Sequence, residues 1–125
     1  MEFYREVAVT TIDVLLLKKK MTIKHLPKYC SSITEVCSES GGTGEIYCIW
    51  GGFTVQRVEL KYGVCFLLLN CPHALTWSIT QKEDTGALIV HCTIAENESE
   101  QEFVESIYEF VTAWCDGLTD TLLTA

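Results

Sequence analysis

Short apolar runs follow one another between residues 45 and 95, and turn residues separate them. The runs are rich in Val, Ile, Phe, Trp and Thr. This pattern predicts β-strands near residues 45–50, 53–60, 64–70, 74–81 and 86–95. The connections are shorter than the crossover of a dozen or more residues that parallel strands need, so we expect an antiparallel meander of about five strands.

Two of these predicted strands indicate which faces of the sheet are buried. In the fourth, apolar residues at 75, 77 and 79 alternate with hydroxyl residues at 76, 78 and 80. This alternation is typical of a sheet that has one packed face and one face in water. The third, over residues 64–69, is apolar on both faces. It is therefore predicted to be central.

The strongest helical pattern lies near the C-terminus. Ser99 and Glu102 fit an S-x-x-E capping box at its start, and Gly117 fits a helix stop. Between them an apolar stripe recurs at helical spacing, which predicts an amphipathic helix packed on one face of the sheet. The stripe consists of Phe103, Ile107, Phe110, Val111, Trp114 and Leu118.

The first 40 residues carry a mixed pattern. Residues 2–20 fit a helical face but also hold a β-branched run, and we favour helix. A second short helix is expected after Pro27, because Leu26, Cys30, Ile33 and Cys37 recur at helical spacing. The Ser- and Gly-rich run 38–44 indicates a loop. The whole chain, residues 1–125, is thus predicted to be one α+β domain with N-terminal helical segments.

The N-terminal apolar run bears on localisation. Residues 7–17 are too few to span a bilayer, which needs about 20. Lysines follow the run at 18–20, whereas a secretory signal carries its positive charge ahead of the apolar segment. We therefore expect a soluble cytoplasmic protein that does not contact membranes.

The cysteines and tryptophans are interpreted mainly as core residues. Seven cysteines, an odd number at scattered and mostly apolar positions, suggest no disulfide framework and predict reduced thiols. Cys48 and Cys65 lie within apolar strand patterns and are expected in the core. The tryptophans also fit core positions, although aromatic residues mark pockets and interfaces as well. They are Trp50, Trp77 and Trp114.

Charge is divided unevenly along the chain, whose net charge is −8. Residues 1–82 hold 9 basic and 7 acidic side chains, while residues 83–125 hold 10 acidic side chains and no Lys or Arg. Glu105 and Glu109 form a like-charged i, i+4 pair, and Asp116 lies at the negative end of the predicted helix, so local stability does not favour this arrangement. The predicted partner-binding residues are Glu98, Glu102, Glu105, Glu109 and Asp116.

These carboxylates favour a basic protein partner, because charge complementarity speeds association. A solvated surface that aids solubility is the alternative interpretation. Nucleic acid is not expected as a partner, since phosphate binding requires a concentrated basic patch. The lysines at 18, 19, 20, 24 and 28 are the only basic cluster, and we interpret them as a solvated face.

Cysteine and histidine residues offer the main candidates for chemistry. Cys71, His73, His91 and Cys92 are zinc ligands in kind, but their spacing is unlike that of structural zinc sites. Cys71 with His73 or His91 as its base could form a nucleophilic pair, although acidic surroundings oppose thiol activation. No nucleotide-binding or hydrolase motif is present. We predict neither catalysis nor a metal or cofactor.

The second half of the chain resembles, in general layout, the small acidic chaperones of bacterial type III secretion. The resemblance covers residues 64–118, with the run 84–88 before a strand and the apolar helix from Phe103 to Trp114. It implies a chaperone with a secreted effector as its partner. The sequence departs from that layout between the third and fourth strands, where residues 70–73 leave no room for the helix that those proteins have.

Small size, no catalytic motif and a concentrated acidic helix together lead to the main hypothesis. The protein is an immunity protein or antitoxin that covers the active site of a basic, nuclease-like toxin. A secretion chaperone is the alternative, followed by a small Cys/His enzyme or metal-binding protein. A homodimer is also left open, since a chaperone should dimerise stably whereas an inhibitor need not.

Overall fold

The computed structural model describes residues 1–9 and 12–122, and in this part of the chain seven strands form one antiparallel sheet. The strands are β1 (Glu2–Val9), β2 (Ile33–Ser40), β3 (Thr43–Cys48), β4 (Gly51–Leu60), β5 (Gly63–Leu68), β6 (Thr76–Gln81) and β7 (Ala87–Thr93). The helices are α1 (Val14–Lys20), α2 (Leu26–Tyr29) and α3 (Gln101–Gly117), with a 3₁₀ turn at Ile23–His25 and a π-helical turn at Leu118–Leu122. The α+β prediction is confirmed, but the sheet has seven strands rather than about five.

The strands are ordered β1-β7-β6-β5-β4-β3-β2 across the sheet. Strands β2 to β7 form a meander in which each pairs with the next, as the short connections predicted. The first strand returns to pair with β7. The apolar strand β5 is the fourth of seven and therefore central, as its composition predicted.

The prediction of helix over residues 2–20 is wrong for its first half. Residues 2–9 form β1, because aromatic and β-branched residues suit a strand and β7 offers an edge to pair with. The second half is helical, and Asp13 caps α1 by accepting a hydrogen bond from the Leu15 backbone N–H at 2.8 Å. Thr10 and Thr11, which the prediction also covered, lie outside the described residues.

The second predicted helix is confirmed for only four residues. Cys30 is already extended, and β2 begins at Ile33. The helical spacing misled because β2 pairs with β3 through two register shifts, which interrupt the period of two. The predicted loop 38–44 shrinks to a two-residue turn at Gly41 and Gly42, whose φ angles of 59° and 82° suit glycine in a hairpin turn.

The core lies between one face of the sheet and the helices. Trp77 is fully buried there and contacts the Phe66 ring at 5.3 Å and the Phe110 ring at 5.1 Å. On the opposite face, here called the open face, Ser78 and its neighbours at 76 and 80 are half-buried. The open face also carries the exposed side chains of Tyr4, Tyr47 and Val58. The alternation in β6 is thus confirmed.

The last helix packs its predicted apolar stripe into the core, where most of the stripe is buried. Its α-helical span ends at Gly117 as predicted, but its predicted N-cap is off by one residue. Glu100 rather than Ser99 occupies the N-cap, and no side-chain hydrogen bond caps the helix. Gly117 does not end the helical winding, which continues into the π-helical turn. Glycine is required instead because a Cβ at this position would overlap the carbonyl oxygen of Tyr29.

The cysteines differ in burial more than the sequence predicted. Cys65 is half-buried on the open face, not in the core, because its partners in the register, Ser78 and Val58, lie there. Cys37 is exposed. Burial raises the pKa of Cys30 and of Cys92 to about 12, so both are neutral thiols at physiological pH. The other buried cysteines are Cys48 and Cys115.

No helix in the described ranges is long and apolar enough to cross a membrane.

Candidate functional site

The five predicted partner-binding carboxylates, here called the acidic face, are all exposed. Four lie on α3, whereas Glu98 precedes the helix in the segment that follows β7. Within the described residues, none of the four ion pairs involves any of the five. The acidic face consists of Glu98, Glu102, Glu105, Glu109 and Asp116.

The surroundings of the acidic face include one basic residue that the linear sequence did not place there. Arg5 of β1 donates a hydrogen bond from Nη1 to Thr112 Oγ1 of α3 at 3.1 Å. On the helix itself, Gln101 Nε2 donates to Glu105 Oε1 at 3.1 Å. These contacts fix two side chains beside the carboxylates, and among the described residues no ion pair joins a cation to any of the five.

An exposed aromatic residue, Tyr108, also lies on the solvent side of α3. Its side chain is 56% exposed, and its ring meets the edge of the Phe3 ring at 5.1 Å. Aromatic residues are common anchors in protein interfaces. Sequence reasoning missed Tyr108, although its position off the apolar stripe was a usable signal.

A cavity of about 280 Å³, here called the aromatic pocket, lies at the N-terminal end of α3. Three rings line it: Trp50 from the β3–β4 turn, Phe53 from β4 and Phe103 from α3. Cys71 and His73, from the β5–β6 loop, complete the lining together with Pro72, Leu68 and Leu75. Three separate parts of the chain therefore build one largely apolar pocket.

Hydrogen bonds and ring contacts hold the Trp50 wall of the aromatic pocket. Trp50 Nε1 donates to Ser106 Oγ at 2.8 Å, and Ser106 Oγ donates to the Phe103 carbonyl oxygen at 2.5 Å. The Trp50 ring also meets the Phe110 ring at 4.8 Å. Trp50 thus packs partly against the core, as favoured from the sequence, and also lines the pocket, as the alternative held.

His73 adds a polar ring to the lining of the aromatic pocket. Its ring stacks on Phe103 with centroids 4.1 Å apart, and its Nδ1 pairs with Glu96 Oε1. The hydrogen bond with His73 lowers the pKa of the Glu96 carboxyl below its ordinary value. The adjacent Ala74 adopts a φ of 49°, which is unusual for a residue other than glycine. The loop is thus held in a tight, locally strained turn.

The structure brings together only part of the predicted Cys/His group. Cys71 and His73 share the aromatic pocket, but no hydrogen bond in the described part of the chain joins the two side chains. His91 lies on the open face, where its Nε2 is 3.2 Å from Glu2 Oε1. Cys92, its neighbour, is buried on the other face, as strand alternation predicted. Among the described residues, no group of three or more His, Cys, Asp or Glu side chains could hold a metal ion.

Sequence reasoning named Cys71 and His73 but did not find the pocket around them. Glu96 contacts His73, and Trp50 contacts Phe103, only because the fold brings distant parts of the chain together. No local spacing in the sequence connects either pair.

The fold and its two surfaces define an α+β protein with an antiparallel seven-stranded sheet in the described residues, an acidic helix and an apolar pocket beside it. No protein-family model and no curated protein matches the chain. Two solved structures are similar to it along nearly their whole length. An uncharacterised protein from Bacillus thuringiensis has a TM-score of 0.61 at 15% identity, covering 95% of this chain and 98% of its own. A protein from Nitrosomonas europaea has a TM-score of 0.53 at 16% identity, covering 96% and 94%. At these identities the likeness shows the fold alone.

Proposed function

We propose that the protein is a non-enzymatic inhibitor, an immunity protein or antitoxin that neutralises a basic, nuclease-like toxin by covering its active site. The observation that carries the proposal is the acidic face, whose five carboxylates are exposed and have no ion-pair partner within the described part of the chain. An active site that binds nucleic acid presents cations for phosphates. The acidic face presents carboxylates to the same cations.

The arrangement of the carboxylates supports recognition more than stability. A like-charged pair four residues apart on a helix costs about 0.2–0.5 kcal/mol. Asp116 adds a negative charge in the last turn of α3, where the helix dipole is already negative. A binding role would account for four such carboxylates along one side of α3.

The test begins with isolation of the partner by co-purification from the native host. Reversal of Glu105 and Glu109 to Lys should slow association by about tenfold or more, because opposite charges steer the encounter. The effect should shrink as salt screens the charges. The rates are measured by stopped-flow or surface plasmon resonance at several salt concentrations.

A matched control is available on the edge strand β2. Glu35 and Glu39 are also exposed and also four residues apart, so their reversal to Lys changes net charge by the same amount. Association should be slowed far less in this variant. Equal association rates for the wild type and the Glu105/Glu109 variant would reduce the acidic face to a solvated surface and remove the proposal's main support.

A secretion chaperone is the second candidate, and the open face of the sheet favours it. Tyr4, Tyr47 and Val58 expose apolar area there that could receive an extended apolar segment or a second copy of the chain. A chaperone should be a stable homodimer that binds an unfolded segment of a secreted effector. An inhibitor should bind a folded basic domain. The neighbouring reading frame separates the two candidates, since it should encode an effector or a toxin domain.

A further inference from the structure

We infer that the aromatic pocket receives one aromatic side chain of the partner, presented between Lys or Arg residues. The inference rests on the proposed function in taking the partner to be a basic protein. It assigns a specific role to a pocket that lies beside, and not within, the acidic face. In this arrangement the pocket provides the apolar anchor, and the surrounding glutamates provide the charged rim.

The size of the pocket fits a single side chain. A cavity of about 150 Å³ accommodates benzene, whereas pockets for drug-sized ligands start near 300 Å³. The aromatic pocket, at about 280 Å³, lies between these values. Its volume is therefore suited to one aromatic side chain with its first carbon atoms.

The lining selects an aromatic occupant. The rings of Trp50, Phe53 and Phe103 form most of the apolar wall, and His73 adds a fourth ring. Aromatic rings favour edge-to-face and offset contacts with one another. A ring entering the pocket can form such contacts with several walls at once, whereas an aliphatic chain cannot.

The pocket is also built to keep its shape without an occupant. Trp50 is held through its indole N–H by Ser106, and His73 is held by Glu96 and by stacking on Phe103. The β5–β6 loop carries the strained residue Ala74 directly after His73. Strained residues persist where the surrounding structure fixes them, and they concentrate at binding sites.

Negative charge next to Phe103 in the chain points to basic neighbours of the aromatic side chain. Glu98 and Glu100 precede α3 and Glu102 lies in its first turn, and all three are exposed and within five residues of Phe103. Apolar anchors surrounded by complementary charge are typical of binding hot spots. A peptide with an aromatic residue between two lysines therefore matches both the cavity and its rim.

The test uses the full chain and three blocked tripeptides, Lys-Phe-Lys, Lys-Ala-Lys and Glu-Phe-Glu, titrated while amide and indole shifts are followed by NMR. Lys-Phe-Lys should bind about tenfold tighter than either of the others, since burial of the ring and the charges of the rim both contribute. The largest shifts should be at the Trp50 indole N–H and at Phe103. Equal binding of Lys-Phe-Lys and Lys-Ala-Lys, or of Lys-Phe-Lys and Glu-Phe-Glu, would overturn the inference.

Substitutions at two separate cysteines provide a variant and its control. Cys71→Trp places a ring in the pocket and should abolish the advantage of Phe over Ala, while Cys37→Trp, on the exposed side of β2, should preserve it. An advantage that survives in Cys71→Trp overturns the inference. If Cys71→Trp does not fold, the comparison of the three peptides on the wild type decides alone.

These results separate the pocket from the proposed function. Peptides that bind as expected, together with charge reversals that leave the partner's association unchanged, would refute the inhibitor but retain the pocket. Peptides without the expected preference, together with slowed association of the charge-reversed variant, would refute the pocket but retain the inhibitor.

Discussion

His73 connects the aromatic pocket to the segment that enters α3, through its pair with Glu96. Because the hydrogen bond with His73 lowers the pKa of Glu96 in the folded state, Glu96 stabilises the fold at pH values above its ordinary 4.5. That contribution is lost as the pH falls through the lowered folded-state pKa. The pair is therefore an acid-sensitive element beside the pocket.

His73→Ala tests this linkage. The variant should be less stable than the wild type near neutral pH, and the difference should shrink as the pH falls below 4.5 and through the lowered folded-state pKa of Glu96. The loss of the stacking contact with Phe103 adds a cost that does not depend on the charge of Glu96. Thermal unfolding across this pH range measures both parts. A stability difference that is constant with pH would contradict the linkage.

The two sides of α3 differ sharply in what they contribute. Trp114 is fully buried against the Trp77 ring, with centroids 6.4 Å apart, while Tyr108 is largely exposed on the solvent side. Large side chains removed from a core leave cavities, but removal of an exposed ring costs mainly its surface contacts. Stability and recognition should therefore be separable along this one helix.

Trp114→Ala should lower the free energy of unfolding by about 3–5 kcal/mol. Tyr108→Ala should lower it by about 1 kcal/mol or less, since it loses chiefly the edge contact with Phe3. Urea unfolding followed by circular dichroism gives both values, and Trp114→Phe serves as the control that retains a ring. Equal losses for Trp114→Ala and Tyr108→Ala would contradict the assignment of the two sides.

Local pattern was sufficient where an element carries a clear local signal. The strands β3 to β7 are short runs of strand-forming residues between turn residues, and α3 carries an apolar stripe at helical spacing, so the sequence predicts them. The first two strands do not carry such a signal. Register shifts break the alternation of β2, and β1 is a strand because β7, whose paired residues lie 78 to 91 positions away, offers it an edge. Such long-range pairing leaves no local signal.

The same reasoning explains what could be predicted of the sites. The acidic face follows from composition and helical spacing, and the structure places all five of its carboxylates at the surface. The aromatic pocket could not be predicted, because the β3–β4 turn, the β5–β6 loop and α3 meet only when the sheet is formed. Gly117 shows the same limit. The sequence indicates a helix stop, but in the fold the missing side chain leaves room for the Tyr29 backbone.

The contact between Gly117 and Tyr29 joins the two helical parts that cover the sheet. On one side of the contact, α3 packs on β1 and β7, and on the other the short N-terminal helices pack near β2 and β5. Arg57 strengthens the latter part by donating from Nε to the Met21 carbonyl oxygen at 2.7 Å and from Nη2 to that of Lys18 at 2.6 Å. Because one sheet and the contacts of α2 with α3 and the π-helical turn connect both parts, we expect them to unfold together as a single cooperative domain.

Gly117→Ala tests that connection. The added methyl group would overlap the Tyr29 carbonyl, so we expect a loss of about 1–3 kcal/mol or more and a weaker coupling between the two parts. Gly52→Ala is the matched control, since a Cβ there meets nothing closer than 3.9 Å and its stability should change little. In the wild type, urea unfolding curves from tryptophan fluorescence and from far-ultraviolet circular dichroism should coincide. Separate transitions in the wild type would mean that the chain holds two units that fold independently, whereas separation only in Gly117→Ala would identify this contact as the one that couples them.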